Sequence, residues 1–335
     1  MKIISVNDIQ KLIKIISLRT FFDRLIAVLE SDFSRWNVFH KSMRHATYYP
    51  QGVIELMPCA DDCFYAFKYV NGHPGNTAQG KLNIVSIGQL SDATTGYPLL
   101  LSEMTLLTAF RTAATEALAA KYLARKNTQS LAIIGTGAQA EFQVMGFNSL
   151  FPLRKIRYFD IDAAAMAKFS HNMAPYAFEL IPCASIRDAV RNTDIVITAT
   201  AENSRQILFE LQDIAPGTHI HAMGGDRPGK TELGRALLEA AKVVVEFIPQ
   251  ALKEGEVQQC NASGIYAELW ELVTKRKQGR ENAAEITIFD SVGFALEDFA
   301  TLRLVYELAL EHQLGSEIAL LPEPRDAKDL FSLLS

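Results

Sequence analysis

The chain predicts an α/β protein, in which a Rossmann-type doubly wound parallel sheet is joined to a second α+β domain. Three observations carry that expectation. Residues 130–160, SLAIIGTGAQAEFQVMGFNSLFPLRKIRYFD, read as strand, glycine turn, helix and second strand. Beyond them, short apolar runs alternate with helix-like segments as far as Asp290, and repeated βα units of this kind build parallel sheets with right-handed crossovers. Residues 52–101 have another texture: GVIELMP, CFYAFKYV and KLNIVSIGQLSD are aromatic or β-branched segments divided by Gly, Pro and Asn, the pattern of an antiparallel sheet. At 335 residues the chain exceeds one ordinary core. Two domains are therefore expected, residues 1–118 rejoined by 305–335, and residues 119–304.

Taken in order, residues 7–36 carry apolar side chains at helical spacing (Ile9, Leu12, Ile13, Ile16, then Phe22, Leu25, Ile26, Leu29), with Asn7 or Asp8 as the cap. The sheet of residues 52–101 follows. Residues 102–124, rich in Ala and Leu, form a helix that delivers the chain to the first parallel strand. After Asp160 come a helix at 163–173, the strand FELIPCA, the helix SIRDAVRN and the strands DIVITAT and THIHAMGG. The helix TELGRALLEAA, the strand KVVVEF, a helix near 265–277 and the strand EITIFD complete the alternation. A last long helix, 294–312, returns to the first domain.

Composition narrows the function classes. Hydrophobic residues make up 49% and charged residues 21%, which supports sizeable cores without membrane-protein levels of apolarity. A net charge of −5 and the lack of a basic patch argue against a nucleic-acid partner. No apolar run is long enough to span a bilayer, and Lys2, Asp8, Lys11 and Lys14 break up the N-terminal apolar residues, so no secretory signal is expected. Cys59, Cys63, Cys183 and Cys260 form no C-x-x-C pair and lie in apolar or strand-like stretches, as expected for reduced thiols of a cytoplasmic protein. The Cys59/Cys63 spacing lacks the second pair or histidines of a metal site, and no metal is expected.

In the turn Gly135-Thr136-Gly137-Ala138-Gln139-Ala140, each small residue has a physical task. Gly135 permits the tight turn, Gly137 lets backbone N–H groups approach a pyrophosphate, and Ala140 lets the helix pack closely on the strand. The helix N-terminus then faces the anion. Asp160 ends the second strand at the distance where an acidic side chain accepts hydrogen bonds from the ribose hydroxyls and repels a 2′-phosphate. NAD is thus favoured over NADP, although Asp160 also fits an ordinary loop-capping carboxylate.

Three polar clusters lie outside this turn. Arg44, Lys68 within an aromatic strand, and Arg111 within an apolar helix are cations that need anionic partners if buried, and together they suit a carboxylate clamp. Each taken alone reads equally as a snorkelling or internally paired side chain. HAMGGDRPGKTEL, residues 221–233, sets Asp226 and Lys230 after a double glycine at the carboxyl end of a parallel strand, where such sheets bind ligands. Asp226 suits proton handling there, or else a turn or helix cap. FDSVGFALEDF, residues 289–299, turns from strand to helix at Ser291, Val292 and Gly293 with exposed N–H groups that suit a nicotinamide or substrate, or else cap a helix.

FKYVNGHPGNTAQG, LSEMTLLTAFRTAAT, IIGTGAQAEFQ, MGGDRPGKTEL, EGEVQQ and DSVGFALEDF, taken together, closely resemble the ornithine cyclodeaminase/mu-crystallin family from about residue 52 to residue 298. The pairing of GGDRPGKTEL with VEFIPQALKEGEVQQ is similar to the cyclodeaminating branch of that family. The resemblance implies that Arg44, Lys68 and Arg111 hold an amino-acid carboxylate, that Asp226 is the catalytic acid/base with Lys68 beside it, and that Val292 adjoins the substrate. It further implies a cofactor site of Asn83, Arg111, Thr112, Gly135, Gly137, Ala138, Gln139, Asp160, Thr200, Met223, Gly224, Gly225, Lys230 and Ser291. Asn83 departs from the hydroxyl residue common in the family, and Arg227 stands where a small residue is usual, placing a charge beside Asp226 that bears on substrate choice.

The implied reaction turns ornithine into proline and ammonia with NAD reduced and reoxidised in one turnover, and Glu55 is the candidate for the far amine. Ring closure is favoured because both reacting groups sit on one bound chain. The alternatives are an NAD(P)H-dependent imine (pyrroline-carboxylate) reductase or amino-acid dehydrogenase, a lysine cyclodeaminase, and a non-catalytic crystallin-like binding protein. The expected partners are a small amino-acid substrate and a second copy of the chain, in a homodimer, because the sheet of residues 52–101 has one face for its helices and another that needs cover.

Overall fold

The computed structural model describes residues 1–201 and 205–334. It contains two eight-stranded sheets and a two-stranded pair. In the first sheet the order from edge to edge is Ser316–Glu317, Lys2–Ile4, Pro98–Glu103, Ser86–Asp92, Phe64–Gly72, Gly52–Ala60 and His40–Lys41, with His45–Tyr49 also on Gly52–Ala60. Its neighbours run antiparallel except Lys2–Ile4 beside Pro98–Glu103. The pleat gives the sheet two unlike faces. Met57 pairs with Lys68 and Glu55 with Val70 on the inner face, whereas Leu56, Tyr69 and Ile87 are successive cross-strand neighbours on the outer one. These three outer residues are exposed.

Helix Ala295–Glu311 packs on the inner face, Leu18–Ser34 packs in turn on it and on Thr105–Leu123, and Thr105–Leu123, buried along most of its length, leads into the second sheet. Phe110 on that helix holds the assembly together. Its ring lies 4.9 Å and 5.3 Å from Phe21 and Phe22 and 5.0 Å from Phe142 on the helix Ala140–Leu150. Each such ring contributes about 2–3 kcal/mol by its burial, so this cluster ties the helices beside the first sheet to the helix that follows the glycine turn.

The second sheet is wholly parallel, in the order Glu179–Pro182, Lys155–Phe159, Ser130–Ile134, Ile195–Thr198, His219–Ala222, Thr287–Asp290, Lys242–Val245 and Ala267–Glu268. The chain leaves Ser130–Ile134 toward one edge and Ile195–Thr198 toward the other. The crevice between their carboxyl ends is where doubly wound sheets bind ligands.

Several elements differ from expectation. The first helical stretch is two helices, Val6–Ile16 and Leu18–Ser34, broken at Ser17 with φ 71°, and the cap is Ser5 in a capping box with Asp8. Thr231–Leu233 is a strand beside Arg205–Phe209, leaving only Arg235–Ala240 helical, because its three side chains are buried against that partner. The segment near 265–277 shortens to the strand Ala267–Glu268 and the helix Leu269–Val273. The strand Pro98–Glu103 runs two residues past the expected end of the sheet, and the helix begins at Thr105 rather than Ser102. All four cysteines are free, and Cys63 is exposed beside a hairpin turn rather than set in an apolar strand. No helix among the described residues is long and apolar enough to cross a membrane.

Candidate active site

The cleft forms where the inner face of the first sheet meets the carboxyl ends of the parallel strands. Gly135 opens it with φ +97°, and a Cβ there would stand 2.5 Å from the carbonyl oxygen of Ala199, so only glycine lets these neighbouring strand ends approach. At Gly137 nothing lies within 4 Å of a Cβ position, leaving the approach an anion needs. Asp160 orders the turn. Its Oδ2 accepts from the Thr136 N–H at 2.6 Å and hydroxyl at 3.1 Å, and its Oδ1 accepts from Asp162 N–H at 2.9 Å. It stands outside the cleft lining, and Oδ1, which accepts once, keeps a lone pair for a further donor. Ala138, Gln139, Thr112 and Asn83 do line the cleft, and the buried Gln139 Oε1 and Asn83 Oδ1 have no hydrogen-bond partner. The open glycine, the ordered turn and these unpartnered acceptors fit a dinucleotide.

Three cations converge from the first sheet and the long helix. Lys68 donates to Asp298 at 2.8 Å, and Arg111 reaches the same oxygen with Nε at 3.1 Å and Glu297 with Nη1 at 2.7 Å. Burial, with Arg111 nearby, pushes the Lys68 ammonium down to about 8, against the pull of Asp298. Two Lys68 protons and the Arg111 Nη2 remain for a ligand carboxylate. Arg44 is more fully committed. Its Nη1 donates to Glu55 at 3.1 Å, its Nη2 to the carbonyl oxygens of Gly293 at 2.7 Å and of Val292, and its Nε faces Glu254 at 3.2 Å. Arg44 therefore ties the first sheet to the turn at residues 291–293 as well as lining the cleft.

That turn is held from both sides. Glu246 accepts from the Ser291 hydroxyl at 2.6 Å and from the N–H groups of Val292 and Gly293 at 3.3 and 3.1 Å, while Gln250 donates to the Gly293 oxygen at 2.8 Å. Ser291 and Val292 consequently present fixed surfaces to the cleft. Opposite them, Asp226 is half-exposed on its loop and lies 3.4 Å from Lys230 Nζ, which also donates to Thr200 O at 3.1 Å. Met223, Gly224 and Arg227 complete this wall, and the Arg227 guanidinium has no partner among the described residues.

The double glycine has a second task. Glu232, Glu256 and Asp290 form a ladder of buried carboxylates: Glu232 accepts from Thr200 N–H at 3.2 Å, Glu256 from the N–H groups of Glu232 and Leu233 at 2.7 and 2.9 Å, and Asp290 from those of Glu256 and Val257 at 2.9 Å each. A Cβ at Gly224 would overlap Glu232, one at Gly225 would come within 2.6 Å of Glu256, and one at Gly255 would collide with Asp290. Gly225 thus makes room for Glu256 and does not line the cleft. Burial pushes the carboxyls of Glu256 and Asp290 up to about 8 and about 7. The ladder links the two motifs whose pairing marked the sequence.

The sequence reading missed Asp298 and Glu297, which neutralise the cations, Glu246 and Gln250, which hold the turn, and Glu254. A signal existed for the first pair, since two adjacent acids in the apolar stretch FALEDFA call for buried cations.

The chain is 45% identical over 331 residues, 99% of its length and 93% of the relative's, to an ornithine cyclodeaminase of Agrobacterium tumefaciens (strain Ach5). Among solved structures, a lysine cyclodeaminase described as recognising L-lysine, L-ornithine and L-2,4-diaminobutyric acid is 29% identical with TM-score 0.94 and 99% of both chains covered. An archaeal alanine dehydrogenase dimer with bound NAD is 31% identical with TM-score 0.88, covering 96% of this chain and 99% of that one. With the family's pattern matched across residues 6–313, the chain belongs to the ornithine cyclodeaminase/mu-crystallin family.

Proposed function

We propose that the protein is an NAD-dependent ammonia-lyase that converts L-ornithine to L-proline and ammonia. One observation carries the reading: a single cleft contains the glycine turn, the cations Lys68 and Arg111 with donors to spare, and two carboxylates, Glu55 and Asp226, for amines. Lys68 and Arg111, with Arg44 beside them, hold the α-carboxylate, and Glu55 holds the far amine. Gly135, Gly137, Ala138 and Gln139 would hold NAD at the turn, where it would supply a reversible hydride acceptor for Cα of the substrate. Oxidation makes Cα electrophilic, so the δ-amine attacks there and displaces the α-nitrogen. Asp226 accepts the proton of the attacking amine and delivers one to the departing ammonia. The walls at 291–293 and 223–230 keep the open-chain species oriented for closure.

Residues 1–118 with 305–335 serve as the substrate-binding and dimerisation domain and residues 119–304 as the NAD domain, the divides falling within the helices Thr105–Leu123 and Ala295–Glu311. A homodimer would cover the apolar outer face around Leu56, Tyr69 and Ile87. The protein would act in the cytoplasm, forming proline.

The test follows atoms. With ornithine deuterated at Cα and catalytic unlabelled NAD, deuterium should return to Cα of proline, and an isotopic label on the α-nitrogen should leave as ammonia. Label retained in proline nitrogen would overturn the mechanism, and stoichiometric NADH release would assign a dehydrogenase.

A further inference from the structure

Glu254 lies just behind the cleft, with its side chain 2% exposed, and faces the Nε of Arg44 at 3.2 Å. Neither atom of that pair makes a hydrogen bond, so charge rather than donor geometry joins them. Arg44 already has a carboxylate partner in Glu55, which comes from the first sheet and lines the cleft, and its Nη2 is taken by the carbonyl oxygens of Val292 and Gly293. One guanidinium is therefore set between two carboxylates, and the triad carries one surplus negative charge. The other charged groups near Glu254 are Asp226, also an acid, and Lys253, which is exposed and screened by solvent. Among the described residues no buried cation other than Arg44 offsets the second carboxylate.

We propose that Glu254 is a positioning and specificity-determining residue: by neutralising Arg44 from behind, it leaves the charge of Glu55 free for the second ammonium of a diamino acid. The inference deepens the ornithine reading and rests on it. Without Glu254, Arg44 and Glu55 would neutralise one another, and the far end of the cleft would accept an uncharged side chain as readily as a cationic one. With Glu254, an uncharged side chain leaves an anion uncompensated in a poorly solvated site, which disfavours it.

The experiment compares L-ornithine with L-norvaline, which has the same carbon chain and no far amine. Binding of each to the NADH-loaded protein, which cannot oxidise the substrate, is measured by calorimetry, together with KM and kcat for proline formation with NAD. In Glu254→Gln, which keeps size and removes charge, ornithine affinity should fall about 10- to 100-fold, the scale for losing one unit charge near a buried site. Norvaline affinity and kcat should stay within about two-fold, and Glu254→Asp should restore most of the ornithine preference. Equal weakening of both ligands, an unchanged ratio, or a wild-type protein with no preference for ornithine would overturn the proposal. The two readings separate: wild-type protein that makes no proline but loses its ornithine preference in Glu254→Gln refutes the reaction alone. Proline formation with a preference that survives in Glu254→Gln refutes the role of Glu254 alone.

Discussion

Lys68 and Asp298 lie 2.8 Å apart, ammonium to carboxylate, with both side chains 1% exposed. The pair brings a cation into a site where burial holds its pKa near 8. The protonated form binds a ligand carboxylate, so affinity should be at its plateau below about pH 8 and fall as pH rises through that value. The alkaline limb of kcat/KM, or of binding of a carboxylate such as L-proline, checks this. Lys68→Met should weaken binding and abolish the limb; a limb that persists in that variant would assign it to another group.

Asp226, which lines the cleft beside Lys230 and away from the glycine turn, is the acid/base of the proposed reaction. Asp226→Asn keeps size and hydrogen bonding but cannot accept a proton, so turnover should fall about 10²- to 10⁴-fold. NAD affinity, read by fluorescence titration, should change by less than about two-fold. Near-normal turnover would move the acid/base role elsewhere.

Asp160 both holds Thr136 and ends the strand beside the proposed ribose site. Asp160→Ala should therefore weaken NAD binding by about ten-fold or more, and NADP binding by less, because the carboxylate that opposes a 2′-phosphate is lost as well. Equal losses for both cofactors would leave Asp160 as a turn-holding residue only.

Gly224 is packed against the carboxylate of Glu232. Gly224→Ala should destabilise the fold by about 1–3 kcal/mol through overpacking. It should also weaken NAD binding, because Glu232 would shift away from Thr200. Thermal melting with and without NAD measures both effects, and an unchanged melting temperature would show that the ladder yields easily.

The outer row Leu56, Tyr69 and Ile87 is exposed on adjacent strands. Ile87→Glu should convert a dimer to monomers at micromolar concentration in sedimentation, because a charge would be buried without a partner. Sedimentation of the wild-type chain as a monomer would refute the dimer itself.

The sequence by itself determined the parallel sheet, the glycine turn and most of the cleft. Gly135 and Gly137 between a strand and a helix are a local pattern, and local patterns survive without tertiary context. Lys68 in an aromatic strand and Arg111 in an apolar helix announced buried charge for the same reason. Only the tertiary structure decided what those charges meet. Asp298 lies 230 positions from Lys68 and Glu254 lies 210 positions from Arg44, separations that no periodicity encodes. Thr231–Leu233 became a strand because Arg205–Phe209 lay beside it, a tertiary partner overriding a helical pattern. The sequence specified the groups that need partners, and the packing of two sheets across one cleft chose the partners, because burial makes an unpaired charge too costly to leave.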